Sequence, residues 1–220
     1  TFFGSYVYSW GKKKWEFELS GTANLNLSDN QTDNQNRIEK ISTNQLLTNN
    51  LNQVTNQGNS LVIGNGFESK LKLDSAGSEW TSQFFYYYSN NKNNQGYETR
   101  YDNPITFTNS GDGTMDNHRD LLSGRTDIKL KMKKRFTFES GLKSTLHLFK
   151  NNTLFYKEMN GNRMPDVGRT NRFRYNENIN SAYVQGSKTM AKDIVLKFGT
   201  RLENTNMRGD QEIPSDTSFA

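Results

Sequence analysis

A strict alternation of apolar and polar residues is the feature that most constrains this chain. It is clearest over residues 15–28, where the odd positions from Trp15 to Leu27 are apolar or small and the even positions from Glu16 to Ser28 are polar. Successive side chains of a β-strand point to opposite faces, whereas helical spacing would mix the two classes around the axis. The segment is therefore predicted to be a strand with one apolar and one polar face.

Seven further segments show the same alternation, some of them weakly. They are residues 2–10, 61–73, 80–89, 122–132, 136–148, 173–188 and 194–204. Most of them run for about 10 to 14 residues, beyond the five or six that are usual in soluble domains and enough for a tilted strand to cross a bilayer. In residues 80–89 the consecutive rings from Phe84 to Tyr88 leave open which face is apolar.

Short and long connections alternate between these segments. The short ones are predicted at residues 11–14, 74–79, 133–135 and 189–193, and the long polar ones at about 29–60, 90–120 and 150–172. Barrels of the outer membrane alternate in this way between short periplasmic turns and long extracellular loops. Residues 37–51 of the first long loop are a candidate for a short helix.

These features predict an all-β fold, an antiparallel transmembrane β-barrel of which about eight long strands are visible. In lipid every backbone N–H and C=O must be paired within the protein, and a closed barrel pairs them. The polar faces are then predicted to line the lumen. Their charged residues are Glu16, Glu18, Lys129, Lys131, Lys143 and Arg201. On a lipid-facing surface each such charge would cost about 2–4 kcal/mol at the membrane midplane.

Aromatic residues lie next to the predicted short turns. Trp10 and Trp15 flank one turn, Trp80 follows the next and Phe136 follows a third. Amphipathic rings favour the headgroup level of a membrane, so these four residues are predicted to form a girdle at the periplasmic interface. Cross-strand packing in a soluble sheet is the alternative explanation.

Composition limits the possible functions. The 28 Lys and Arg against 23 Asp and Glu give a net charge of +5, but the basic residues are dispersed among acidic ones, so no nucleic-acid surface is predicted. The chain has no cysteine and its two histidines, His118 and His147, are far apart in sequence, so no metal or cofactor is expected. Residues 110–116 resemble a calcium loop only faintly and are interpreted as a turn. No catalytic arrangement is found, and the protein is not expected to be an enzyme.

Two adjoining stretches carry a family signal. Residues 175–184 read YNENINSAYV, and residues 196–205 read LKFGTRLENT after the turn that follows Lys188. They resemble the Bacteroidetes outer membrane β-barrel family, in which a Y-x-E-x-I-x-A-A-Y-V strand precedes a G-L-R-x-E-x-T strand. Ser181 and Thr200 depart from the commonest residues of that pattern and leave the strand alternation intact. The close resemblance is confined to residues 175–205.

The resemblance implies a protein similar to the TonB-dependent receptors. Such a protein has a barrel of about 22 strands around an N-terminal plug and takes up a nutrient, siderophore or peptide across the bacterial outer membrane. Residues 1–220 would then be part of one outer-membrane β-barrel domain, without the plug, and both ends of the chain read as cut. The implied partners are outer-membrane lipid and lipopolysaccharide, the plug, the TonB system, and other outer-membrane proteins or lipoproteins.

Other hypotheses stay open at this point. The barrel could be a structural or accessory subunit of a larger outer-membrane complex. It could also be a self-contained eight-stranded barrel, since an even strand number is allowed. A soluble β-sandwich is disfavoured by the hairpin length and the loop asymmetry.

Overall fold

A computed structural model describes residues 1–103, 105–133, 135–159, 161–191, 194–215 and 217–219. These residues form one antiparallel sheet of ten strands and contain no helix. The strands are β1 (Phe2–Lys12), β2 (Trp15–Lys40), β3 (Gln45–Lys72), β4 (Glu79–Asn103), β5 (Phe107–Met132), β6 (Phe136–Met159), β7 (Asn162–Pro165), β8 (Asn171–Ala191), β9 (Ile194–Ile213) and β10 (Thr217–Phe219). The predicted all-β antiparallel architecture with eight long strands is confirmed, and β7 and β10 are short additions.

The sheet is a meander in which neighbouring strands follow the chain order. Its order is β1-β2-β3-β4-β5-β6-β8-β9-β10, and β7 pairs with the far end of β6. β1 and β10 lie at opposite ends of that order, and no pairing joins them in the described residues. The described sheet is therefore open, like a segment cut from a barrel wall. No helix in the described part of the chain is long and apolar enough to cross a membrane.

The long connections predicted at residues 29–60, 90–120 and 150–172 are wrong, because strands continue through most of these residues. β2 and β3 stay paired as far as Lys40 and Gln45, so this hairpin closes over residues 41–44. The possible helix at residues 37–51 and the turn at residues 110–116 are wrong for the same reason. Polar residues occupy both faces here, so the sequence shows no alternation even though the backbone ladder keeps each strand extended.

The short connections are confirmed in position, but two of them are shorter than predicted, because β1 runs on to Lys12 and β8 runs on to Ala191. β3 and β4 are joined by residues 73–78, where Gly77 adopts a φ of 92° that favours glycine. Asp74 accepts a hydrogen bond from the backbone N–H of Ser78 at 2.9 Å. The hydroxyl and N–H of Ser78 hold the pKa of Asp74 below its ordinary value. Lys134, Lys192 and Asp193 of the other predicted turns lie outside the described residues.

The register is staggered relative to the short turns. One row of cross-strand neighbours begins beside the first turn and runs through Trp15, Leu71, Trp80, Ile128, Ser140, Val184 and Thr200. At β9 this row lies six residues from the strand's first residue, Ile194 (200 − 194). About one residue of stagger per strand, with a rise of about 3.3 Å and a strand spacing of about 4.8 Å, corresponds to a tilt of about 35°. A closed barrel requires this combination of stagger and tilt.

Candidate functional site

The register sorts the side chains of the long strands onto two faces. Cross-strand partners share a face, so Leu19 of β2 lies with Phe67 of β3 and Phe84 of β4 on what we call the apolar face. The opposite face carries Glu16 and Glu18, and we call it the polar face. The aromatic run of β4 is thereby resolved. Its even members, Phe84, Tyr86 and Tyr88, lie on the apolar face, and its odd members, Phe85 and Tyr87, lie on the polar face.

The apolar residues of the apolar face form an oblique band across the sheet. On each long strand the band runs between two residues: Phe2 to Trp10 on β1, Trp15 to Leu27 on β2, Leu61 to Leu71 on β3, Trp80 to Tyr88 on β4, Leu122 to Met132 on β5, Phe136 to Leu148 on β6, Ala182 to Gly186 on β8, and Ile194 to Leu202 on β9. On most strands the length of the band is close to the roughly 9–11 residues that a tilted strand needs to cross a bilayer. Both edges of the band shift in the direction of the register stagger, as they would where a membrane crosses tilted strands.

The band is exposed to an unusual degree. Leu142, Phe198 and Leu202 are 60%, 83% and 76% exposed, while Phe155 is the buried hydrophobic residue of the described chain. An apolar surface of this extent on a soluble protein would mark a contact with another protein or with a membrane. The sheet therefore has no hydrophobic core of its own and needs a surrounding apolar medium.

All six charged residues predicted to line the lumen lie on the polar face. They are Glu16 and Glu18 of β2, Lys129 and Lys131 of β5, Lys143 of β6 and Arg201 of β9. Glu16 and Lys129 belong to a belt of ion pairs close to the short turns. Lys143 and Arg201 lie further along the sheet and do not join it. That this face points into a lumen stays a prediction.

Two neighbouring groups of ion pairs, which we together call the ion-pair belt, are Glu16 with Lys72, and Glu79 with Lys70 and Lys129. They lie side by side because Glu16 is the cross-strand neighbour of Lys70, and Lys72 that of Glu79. Glu16 is bonded to Lys72 across β2 and β3. Glu79 lies between two lysines, with Lys70 Nζ at 2.9 Å and Lys129 Nζ at 3.6 Å from its carboxylate oxygens. Exposed ion pairs of this kind add little to stability. The belt therefore contributes mainly to the electrostatic character of this part of the wall.

A second polar cluster lies beside the belt around Gly141 of β6. Asp127 accepts hydrogen bonds from Arg125 Nη2 at 3.1 Å and from the Tyr183 hydroxyl at 2.7 Å. The ring of Tyr183 reaches over the buried Gly141, where a Cβ would lie 2.5 Å from the ring and 2.2 Å from Asp127 Oδ1. The missing side chain thus makes room for a hydrogen-bonded bridge that extends from β5 over β6 to β8.

Sequence reasoning missed three members of the belt: Lys70, Lys72 and Glu79. The alternation over residues 61–73 does predict that the two lysines lie on the polar face, because Leu71 between them lies on the apolar face. The pairing partners of these residues depend on register between strands, which the alternation within one strand does not determine.

The four aromatic residues predicted to form the girdle lie on the apolar face near the short turns. Trp10 and Trp15 stack on Phe17 with centroid distances of 5.1 and 5.5 Å. Trp80 donates a hydrogen bond from Nε1 to Thr126 Oγ1 at 2.7 Å. Phe136 lies beside Gly186 of β8. Their contact with lipid headgroups stays a prediction.

The two histidines lie on opposite faces of the sheet. His118 on β5 bonds to Asp120 at 2.6 Å and packs against Tyr88, while His147 on β6 packs edge-on against Tyr175. The described residues contain no group of His, Cys, Asp or Glu side chains that could hold a metal ion.

The segment between β6 and β8 folds back onto the far end of the sheet. On one face Arg163 makes a bidentate ion pair with Asp112 of β5, with Nε–Oδ1 and Nη2–Oδ2 distances of 2.9 and 2.8 Å. Its guanidinium carbon also lies 3.5 Å from the centroid of the Tyr156 ring. On the other face Arg169 lies 3.9 Å above Phe155. The two arginines therefore contact the end of β6 on opposite faces of the sheet.

We expect Asp112→Asn to loosen this segment. At neutral pH, amide hydrogen exchange of residues 161–170 should become a few times faster, because Arg163 loses its charged partner. Arg163 holds the pKa of Asp112 below its ordinary value. The ion pair therefore persists at neutral pH and is lost as the pH falls through that lowered pKa, so the variant and the wild type should converge in acid.

Asp116→Asn is the matched control for this variant. Asp116 lies on the same strand and the same face, 3.5 Å from Lys92, and does not contact residues 161–170. Equal acceleration of exchange in both variants would show that the Arg163 contact does not hold the segment.

The chain matches the model of a known protein family. The model of the outer membrane protein beta-barrel family matches residues 71–219, from the end of β3 through β10, which is more than half of the chain. No curated protein matches the chain.

Proposed function

Because the chain belongs to the outer membrane protein beta-barrel family and is therefore located in the bacterial outer membrane, we propose that it forms part of the wall of a TonB-dependent-receptor-like uptake barrel. The cargo would be a nutrient, a siderophore or a peptide. The observation that carries the proposal is the two-faced sheet, with the oblique apolar band on one face and the ion-pair belt on the other. The apolar face contacts lipid, and the polar face lines the lumen.

The open edges of the sheet support a barrel larger than these strands. An unpaired strand edge leaves backbone N–H and C=O groups without partners, which is costly in lipid. β1 has only β2 as a neighbour, and most of β9 has only β8 in the described residues. Small eight-stranded barrels fill their interior with side chains, whereas barrels of about 22 strands enclose a plug. The side chains of the belt remain 28–54% exposed, which fits the second type.

The belt is the surface that we assign to the plug. It lies at the short-turn end of the polar face, which is the periplasmic end in this family of architectures. Lys70, Glu79 and Lys129 alternate in sign along it and can pair with charged groups of an inserted domain. Lipid and lipopolysaccharide would contact the apolar face. The wall is proposed to have no catalytic activity of its own and no nucleic-acid partner.

A conductance measurement tests the proposed function. In a planar bilayer the full-length protein is expected to be closed, and to open reversibly in urea that unfolds the plug but spares the barrel. The purified protein should also bind the periplasmic domain of TonB from the same bacterium. A permanently open pore, or a closed protein that does not bind TonB, would contradict an uptake function driven by TonB.

One observation favours a structural or accessory role as the second candidate. On β8 the apolar band shrinks to Ala182, Val184 and Gly186, which leaves a groove between the exposed side chains of Leu142 and Leu202. Such a groove could accept another outer-membrane protein or a lipoprotein. A photo-crosslinker at Ala182 should then capture one partner in stoichiometric amount, whereas crosslinks to lipid alone would exclude this role.

A further inference from the structure

A ring-lined patch interrupts the polar face above the ion-pair belt. Two rows of cross-strand neighbours form it: Tyr87, Leu121, His147 and Glu177 in one, and Ser89, Arg119, Phe149 and Tyr175 in the next. The belt side of this face is dominated by lysines and carboxylates, whereas here three aromatic rings and a leucine come together. The patch lies further from the short turns than the belt, at the height of the far edge of the apolar band.

Arg119 is the cation of this patch and lacks a carboxylate partner, whereas the carboxylate of Glu177 accepts a hydrogen bond from the Tyr175 hydroxyl at 3.0 Å. The guanidinium carbon of Arg119 lies 5.6 Å from the centroid of Phe149. Arg119 makes no ion pair with any residue that the structure describes. Arg125 and Arg201, by contrast, each bind an acidic residue two positions along the strand. The equivalent neighbours of Arg119 are Asn117 and Leu121, so no acidic side chain is within reach on its own strand.

His147 adds a second polar group without a partner. Its ring lies edge-on to Tyr175 at a centroid distance of 6.3 Å. Its Nε2 atom is buried and has no hydrogen-bond partner among the described residues. Leaving a buried polar atom unpaired is costly. The patch thus combines an available cation, an unpaired imidazole nitrogen and aromatic surface.

We infer that this patch, defined by Arg119, His147, Phe149 and Tyr175, binds an aromatic carboxylate. The guanidinium takes the carboxylate in a charge-assisted hydrogen bond, and the ligand ring packs against the rings of Phe149 and Tyr175. Charge complementarity selects the anion, because Arg119 is the cation of this patch and has no ion-pair partner among the described residues. The ligand is either a free aromatic acid or the C-terminal aromatic residue of a peptide. The inference rests on the proposed uptake function and gives it a class of cargo.

The test is a binding measurement by calorimetry on the full-length protein in detergent, without TonB. The probes are phenylacetate and the N-acetylated peptide Gly-Gly-Phe, each compared with its uncharged C-terminal amide. The carboxylate form of at least one probe is expected to bind at least tenfold more tightly than its amide. The tighter of the two probes distinguishes a free acid from a peptide. Equal binding of acid and amide for both probes would overturn the inference.

Variants separate the role of the charge from that of the fold. Arg119→Gln should abolish the preference for the carboxylate, and Arg119→Lys should retain part of it. Arg174→Gln removes an arginine from the opposite face of the sheet and should leave the preference unchanged. A preference that survives Arg119→Gln would also overturn the inference. Binding without TonB-dependent uptake would contradict only the proposed function, so the two failures are distinguishable.

Discussion

Replacing Leu142 by arginine is expected to lower the free energy of unfolding in a lipid bilayer by about 2–4 kcal/mol. Leu142 lies at the middle of the apolar band of β6, between Phe136 and Leu148, and is 60% exposed. If the apolar face contacts lipid, the guanidinium has to be transferred to the hydrocarbon core, where it has neither water nor an acidic partner. The unfolding transition of the full-length protein in vesicles, measured with urea, reports this cost.

The matched control places the same charge on the opposite face of the same strand. Thr145 lies three residues further along β6, on the polar face, where it pairs with Ser123. We expect Thr145→Arg to change the free energy of unfolding by no more than about 0.5 kcal/mol, as surface substitutions usually do. Equal losses in the two variants would mean that the two faces do not differ in their surroundings.

Replacing Gly141 by alanine is expected to lower the free energy of unfolding by about 1–3 kcal/mol. The new Cβ would lie 2.2 Å from Asp127 Oδ1, 2.5 Å from Tyr183 Cε1 and 3.0 Å from the backbone oxygen of Thr126. The first two groups belong to the hydrogen-bonded bridge across β6, so the added methyl group must displace that bridge. The backbone oxygen cannot move without disturbing the ladder between β5 and β6.

Gly124 of β5 provides the control for this substitution. A Cβ at Gly124 would meet nothing within 4 Å, so Gly124→Ala adds a methyl group without crowding. Alanine also restricts the unfolded chain more than glycine does, so this variant should be neutral or slightly more stable than the wild type. If both variants lost the same stability, the result would show that the strands tolerate no replacement of their glycines in general. The loss at Gly141 could then not be attributed to the Tyr183 bridge.

The faces of the strands could be predicted from sequence because alternation within one strand determines them. Trp15 and Leu27 fall on the apolar face and Glu16 and Lys129 on the polar face, as the alternation predicted. The aromatic run around Phe85 and Tyr87 could not be assigned in this way, since every residue in it is apolar enough for either face. Only the pairing with Gly66 and Gly64 on β3 resolves it.

The full length of the strands could not be predicted from the hydrophobic pattern. Beyond the apolar band both faces are polar, as around Asn36 and Asn56, and such composition is also typical of loops. Amide side chains bridge the strands there, with Asn36 donating to Asn50 at 3.1 Å and Asn93 donating to Asn56 at 3.2 Å. The ion-pair belt was partly missed for a related reason, because its contacts join residues such as Lys70 and Glu79 from different strands.

The most direct test of the central claim is a scan of single cysteines along β6. The 220 residues contain no cysteine, so spin labels can be introduced one at a time at residues 137–146, leaving out Gly141. In vesicles of the full-length protein, labels at even positions should be accessible to oxygen dissolved in lipid, and labels at odd positions to a water-soluble nickel chelate. This alternation would place the apolar face in lipid and the polar face in the lumen. Uniform accessibility, or alternation in the opposite phase, would contradict the account.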